Sequence, residues 1–301
     1  MSFPKEFVWG AAAASYQIEG GAYDDDKGLS VWDMMCRQPG RVYGGHTGEV
    51  ACDHYNRYRE DVALMQEMGL MAYRLSVSWP RVLPAGTGAV NEKGLSFYDR
   101  LVDVLLEADI VPHITLFHWD FPHELYCRGG WLNPDSQEWF AEYTAVLVDR
   151  LSDRVRHWMT LNEPQCFIGL GMLEGTHAPG DKLGLAEALR AGHHALLAHG
   201  RSVQVIRARA KSDPIVGYAP TGTPVMPQDE SDPENVEAAR RAMFAVKNRN
   251  CWNISWWSDP VILGHYPEDG LSTYGADAPK VKDGDFDIMC QPLDFYGANV
   301  Y

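Results

Sequence analysis

The run His157-Trp158-Met159-Thr160-Leu161 reads as a short buried strand, and Asn162-Glu163-Pro164 closes it. Proline has no N–H to give to a ladder, so the strand stops there. The pattern leaves an amide and a carboxyl side by side at the carboxyl end of a strand. In a parallel α/β barrel that end is where chemistry is done. A carboxyl at such a lip suits general acid/base work on a glycosidic oxygen, and the amide beside it suits holding a sugar hydroxyl. Taken alone the tripeptide is a weak signal, since a solvated strand-end carboxylate also accounts for it.

Other predicted strands end in polar groups as well. Gln17 follows Phe7–Ala14, His118 and Trp119 follow Val111–Phe117, and Asn299 and Tyr301 fall at the end of Asp294–Tyr301. Arg74 lies inside a strand read as Ala72–Trp79 and stopped by Pro80. A guanidinium in an apolar strand is costly unless an acid pairs with it. A structural ion pair would answer that; the favoured expectation is that Arg74 faces the site and holds a catalytic carboxylate ionised. Amide and neutral imidazole groups both donate and accept, and Trp119 adds a flat apolar face with an N–H. Such a lining fits a polyhydroxylated ring better than a phosphate or an acyl chain.

Helices must lie between these strands to position them. Residues 21–52 read as a long loop. Asp53 is the expected cap of a helix with Tyr55, Tyr58, Val62, Met65 and Met68 at helical spacing. Asn91 caps one presenting Leu95, Tyr98, Leu101, Val102 and Leu105. Asn133 and Pro134 open a third, whose buried face is Trp139, Phe140, Tyr143, Leu147 and Leu151. A Gly-rich loop is expected over 165–184, a helix over Leu185–Ala210 and a fifth strand over Pro214–Tyr218. A polar insertion over 221–234 and a helical segment from Phe244 to Trp257 precede the sixth strand. Alternating strands and crossover helices imply a parallel sheet. An open nucleotide-binding sheet would need a Gly-rich turn directly after its first strand. The nearest candidate, Gly169-Leu170-Gly171, has no strand before it.

Composition narrows the function classes. The 301 residues are 46% hydrophobic with a formal net charge of −15, so a core-forming protein is expected and binding to a nucleic-acid backbone is not. Six cysteines without a C-x-x-C pair read as reduced thiols of a cytoplasmic protein. No leader peptide or membrane-spanning run is visible. Ten Trp and fourteen Tyr suit either a large aromatic core or a pocket of flat faces for sugar rings.

At this point the chain resembles glycoside hydrolase family 1, the β-glucosidase family. The matching motifs are Phe7-Val-Trp-Gly with Ser15-Tyr-Gln-Ile-Glu-Gly, Asp53-His-Tyr with Glu60-Asp61, and Tyr73-Arg-Leu-Ser-Val-Ser-Trp-Pro-Arg81. Phe117-His-Trp-Asp120, Arg128-Gly-Gly-Trp131, Thr160-Leu-Asn-Glu-Pro164 and Gly297-Ala-Asn-Val-Tyr301 continue it in order. The resemblance implies a (β/α)8 TIM barrel with about the first six βα units present. Residues 1–301 would form a single glycosidase domain, incomplete at its C-terminus. It also implies retaining hydrolysis of terminal β-linked sugars and no cofactor. Glu163 is then the acid that protonates the leaving oxygen and later the base that activates water. Gln17, His118 and Asn162 take sugar hydroxyls, with Trp119 and Asn299 beside them. Arg74 and Tyr301 resemble residues contacting the second carboxylate, the nucleophile.

That nucleophile sits in a Thr-Glu-Asn-Gly motif in the family, and residues 1–301 contain none. Neither Asp120, beyond its strand, nor Asp294, at the start of its strand, is an attractive substitute. The expectation is therefore a complementary C-terminal polypeptide; a non-catalytic sugar-binding fragment is the alternative. Gln165 stands where many relatives carry Trp; neutral drift at a loop accounts for it, as does a changed outer subsite with altered leaving-group preference. A metal-dependent hydrolase is the remaining enzyme reading. His113 and His118 fall on opposite faces of a strand, and His194 and His199 are not at i, i+4, so it is not favoured.

Overall fold

The computed structural model describes residues 3–301. Its framework divides into two compact units. The first comprises the chain up to Cys127 with Glu142–Met159 and Ile206–Ile215; the second comprises Arg128–Ala141, Thr160–Val205 and Val216–Tyr301.

The first unit holds β1 (Gly10–Ala13), β2 (Ala72–Ser76), β3 (Val111–Phe117) and the start of β4 (His157–Asn162). β1 and β3 both run parallel to β2, with Ala12 opposite Arg74 and Arg74 opposite His113. The second unit takes the end of β4 and most of β5 (Ile215–Ala219). It also holds β6 (Thr221–Gly222), β7 (Phe295–Tyr296) and β8 (Asn299–Val300). Strand order in the main sheet is β1-β2-β3-β4-β5-β7, while β6 and β8 pair in a separate short sheet.

The connecting helices bury the stripes their sequences predict. Glu92–Glu107 hides Leu95, Tyr98, Leu101, Val102 and Leu105, and Ser136–Leu151 hides Trp139, Phe140, Tyr143, Leu147 and Leu151. Leu189, Leu196, Leu197, Val203 and Ile206 do the same in Leu185–Arg209. The aromatic excess is mostly core: Trp79, Trp158, Trp256 and Trp257 are fully buried. Among the described residues no helix is long and apolar enough to cross a membrane.

Several boundaries differ from the sequence reading. β1 starts at Gly10, and ahead of it Trp9 packs edge-on against Phe3 and Phe7. A Cβ at residue 10 would sit 2.6 Å from the Ala72 carbonyl oxygen, so the close approach of β1 to β2 requires glycine. Gln17 lies in a helical turn, Ser15–Ile18. β2 ends at Ser76, and Trp79–Val82 is a helical turn with Pro80 in its first positions, where proline's missing N–H costs nothing. Asp53 precedes the helix His54–Glu67 in a left-handed conformation without capping it, and Met68 is exposed. Asn133 Oδ1 accepts from Asp135 N, so the helix begins only at Ser136. The segment read as a loop from 165 starts with a wide helix, Gln165–Leu173. The segment read as one helix through Phe244–Trp257 is two, Pro233–Phe244 and Ser255–Ile262, with Asn250–Asn253 turned through side-chain hydrogen bonds between them. The last strand is split, because Gly297 N donates to Tyr218 O and Asn299 N to Pro220 O, redirecting residues 299–300 to β6.

Candidate active site

The second unit organises Glu163. β4 delivers Asn162 and Glu163 to its carboxyl end, both buried, with Glu163 3% exposed. Glu163 adopts φ 48°, in the left-handed region that side chains other than glycine rarely occupy. Its N–H donates to Ala219 O at 2.8 Å and its carbonyl accepts from Cys166 N at 2.9 Å. Asn299 Nδ2 donates to Glu163 Oε1 at 2.7 Å and to Asn162 Oδ1 at 2.9 Å. The Cys166 thiol donates to Glu163 Oε2 at 3.1 Å. Burial, with the Glu163 charge adding to it, pushes that thiol up, so it stays protonated. Asn162, Glu163 and Asn299 are therefore one hydrogen-bonded cluster.

Tyr301 is 90% exposed and lines a cleft of about 440 Å³ with Gln165, Thr221, Trp252 and Asn253. Gln165 is buried, and its amide N–H groups donate to the carbonyls of Thr221 and Asn253 at 2.9 and 3.2 Å. This side chain ties the turn after β5 to the turn before Trp256. Trp252 is half-exposed and donates to Glu174 Oε1.

In the first unit, Arg74 is half-buried on β2 and its Nε donates to Thr115 Oγ1 at 2.9 Å. His118 and Trp119 follow β3 with their rings 4.8 Å apart, and Trp119 has a left-handed φ of 77°. Burial, with the charge of Arg74 beside it, pushes the His118 imidazole down to about 4, so it is neutral near pH 7 and both donates and accepts. Gln17 is exposed on its helical turn. Asp120 is buried and accepts from the Ser15 hydroxyl at 2.8 Å; burial raises its carboxyl to about 7. Asp294 Oδ2 accepts from Val216 N, which fixes the β5–β7 register. Both acids are thus engaged in the framework.

Two of the histidines weighed as metal ligands are engaged in the framework: His194 Nδ1 meets Trp131 O at 2.9 Å, and His199 Nδ1 meets Thr160 Oγ1 at 2.6 Å. Sequence reasoning missed Cys166. Its signal is the i, i+3 spacing from Glu163, which matters only on a helix, and the glycines of 165–184 make that stretch read as a loop.

The family model described as "Glycosyl hydrolase family 1" matches residues 1–301. Beta-glucosidase A of Acetivibrio thermocellus is 44% identical over 303 residues, covering 100% of this chain and 65% of that protein. The 1,4-beta-D-glucan glucohydrolase of Thermotoga neapolitana is 44% identical over 299 residues, covering 99% and 68%. The solved beta-glucosidase from Thermotoga maritima in complex with deoxynojirimycin superposes with a TM-score of 0.89 at 42% identity, covering 99% of this chain and 66% of that one. The chain thus spans about two thirds of the length of the relatives it matches. The architecture is that of the (β/α)8 class, of which about six βα units fall within these residues. On the full-length match and these identities, the chain belongs to glycosyl hydrolase family 1.

Proposed function

We propose that this chain carries the acid/base half of a retaining β-glycosidase acting on terminal β-linked sugars, glucosides foremost. The observation that carries the reading is Glu163: a carboxyl shut off from bulk water at the carboxyl end of β4, beside Asn162 and hydrogen-bonded by Asn299. The names of the relatives, β-glucosidases and a glucan glucohydrolase, support the substrate class.

In the first step Glu163 gives its proton to the bridging oxygen while a second carboxylate attacks the anomeric carbon, forming a glycosyl-enzyme and releasing the aglycone alcohol. In the second step the ionised Glu163 takes a proton from water, whose oxygen displaces that carboxylate. Two inversions return the original configuration. Gln17, His118 and Asn162 would take sugar hydroxyls; the neutrality of His118 suits it to pair with a hydroxyl rather than an anion. Trp119 offers the ring an apolar face. Asn299, expected to touch substrate, would also orient both Asn162 and Glu163. Arg74 and Tyr301 would contact the nucleophile.

Residues 1–301 have no Thr-Glu-Asn-Gly motif, and we assign the nucleophile to a complementary polypeptide that completes a single glycosidase domain. Six cysteines, none in a disulfide, suit a reducing compartment, and we assign the chain to the cytoplasm. The test is nitrophenol release from an aryl β-glucoside by residues 1–301 with and without a polypeptide spanning the remaining third of the relatives. Release only from the mixture supports the proposal. Sugar binding without release from either sample supports a non-catalytic sugar-binding fragment instead.

A further inference from the structure

The two oxygens of the Glu163 carboxylate meet very different donors. Oε1 accepts a 2.7 Å hydrogen bond from the Asn299 amide. Oε2 accepts from the Cys166 thiol, at 3.1 Å. A thiol is a weak donor and an amide N–H a strong one. Oε1 is therefore the better-stabilised anion, and Oε2 keeps the greater proton affinity. Cys166 cannot drift from this position. It is the second residue of the helix Gln165–Leu173, its N–H is fixed on the Glu163 carbonyl, and its side chain is buried.

We propose that Cys166 is a positioning residue for Glu163: its thiol holds the carboxyl plane and marks Oε2 as the oxygen that carries the transferable proton. This rests on the acid/base reading of Glu163. The thiol keeps its own proton throughout. It donates to Oε2 when Glu163 is ionised, and its sulfur can accept from the Oε2 hydroxyl when Glu163 is protonated. A stronger donor at 166 would stabilise the carboxylate and make Glu163 a stronger acid; an apolar residue would do the reverse. The surrounding groups leave this term readable. From β5 and β8, Glu163 meets the Ala219 carbonyl and the Asn299 amide, neither of which titrates. Among the described residues His177, in the turn after the same helix, also feels its charge, and in the complemented protein the nucleophilic carboxylate acts equally on both variants. Burial lowers that imidazole, while Glu174 and Glu163 act against the fall.

The experiment compares Cys166→Ser and Cys166→Ala by the pH profile of kcat/KM on an aryl β-glucoside, in the complemented preparation. In parallel, the S–H stretching band of the unmodified chain is followed by Raman spectroscopy through a pH titration. A hydrogen bond to a charged acceptor moves a pKa by about one to two units, and exchanging a thiol for a stronger donor changes only part of that, about half a unit to one unit. The alkaline limb should therefore shift down by roughly that much in Cys166→Ser and up by a similar or smaller amount in Cys166→Ala. A purely structural role moves both variants the same way, and that outcome overturns the proposal. The Raman band should shift as Glu163 ionises and stop doing so in Glu163→Gln. A band that ignores pH overturns the proposal without any reference to catalysis. A titrating band in a chain that never cleaves glycosides would instead overturn the reading of Glu163 as a catalytic acid.

Discussion

Replacing Glu163 by Gln removes the transferable proton while leaving the surroundings almost unchanged. Asn299 Nδ2 lies 2.7 Å from Oε1 and needs an acceptor there. The glutamine must therefore turn its carbonyl oxygen to Asn299 and its NH2 to Cys166 Sγ, which accepts weakly. One hydrogen bond is kept and one is exchanged for a poorer one, so the loss of stability should stay within about 1 kcal/mol. Catalysis is affected far more. A positioned general acid is worth about 10²–10⁴-fold, or roughly 2.7–5.5 kcal/mol of barrier. That contribution matters only when the leaving oxygen needs a proton. Alkyl and unsubstituted phenyl β-glucosides should lose that factor in kcat/KM, whereas dinitrophenyl glucosides, whose phenolates depart unaided, should lose less than about tenfold. The assay is a series of aryl glucosides of graded leaving ability on the complemented protein, with a thermal melt of each sample. The dependence of rate on leaving group should steepen in Glu163→Gln. An equal loss across the series with an unchanged melt would refute the acid assignment.

Other expectations concern the framework. His199 is fully buried and its imidazole is pushed by burial from 6.5 down to about 3. The unfolded chain takes up this proton as pH falls through 6.5 and the folded chain only near 3, so stability should drop across that window by about 1.4 kcal/mol per pH unit. His199→Gln should flatten the dependence of the urea midpoint on pH between 6 and 4. Arg81 is wholly buried against Glu19 at 3.0 Å, with Tyr98 OH on the other Glu19 oxygen. Arg81→Met leaves a buried carboxylate uncompensated and should cost about 3–5 kcal/mol in denaturant unfolding, a loss that adding Glu19→Gln partly restores. A Cβ on Gly200 would lie 1.8 Å from the Ile288 carbonyl oxygen. Since backbone cannot step aside, Gly200→Ala should destabilise by more than about 2 kcal/mol, read from a denaturation curve.

What could be read in advance follows from which forces act locally. The stripes Leu95–Leu105 and Trp139–Leu151 are periodic and their burial is decided by that period, so sequence alone identifies them. β3 is legible at Val111–Phe117 for a different reason, a short apolar run with polar residues after it. Misreadings cluster where tertiary partners compete with local signals. Gln165–Leu173 carries two loop-like cues, Gly169 and Gly171, with Gly175 just after it, yet it is helical because nearly all of it, Cys166, Phe167, Ile168 and Met172 included, is buried. A Cβ on Gly169 would meet Cys251 Cβ at 2.9 Å, so that glycine serves close packing. Residues 294–301 read as one strand because nothing in their composition reveals that Gly297 and Asn299 bond to the Tyr218 and Pro220 carbonyls. The candidate residues themselves were legible as types at strand ends. Their hydrogen-bond partners were not, since those depend on which carbonyls and side chains the fold brings up.

The left-handed backbone at Glu163 explains how neighbours in sequence come to act together. In a regular strand, successive side chains point to opposite faces, so Asn162 and Glu163 could not both reach one donor. Yet a single Asn299 amide nitrogen bonds to both, at 2.9 and 2.7 Å. The pleat is broken between them by the φ of 48°, a conformation that costs of order 1–3 kcal/mol and persists only where the surroundings over-determine it. Here Ala219 takes the N–H, extending the ladder one rung past β4, while Cys166 N takes the carbonyl, beginning the next helix. Glu163 is thereby fixed from both sides. A carboxyl anchored in this way has little freedom to relax away from a partner charge or a reacting oxygen. That rigidity is what a group alternating between acid and base requires, since it must meet the same oxygen position in both steps.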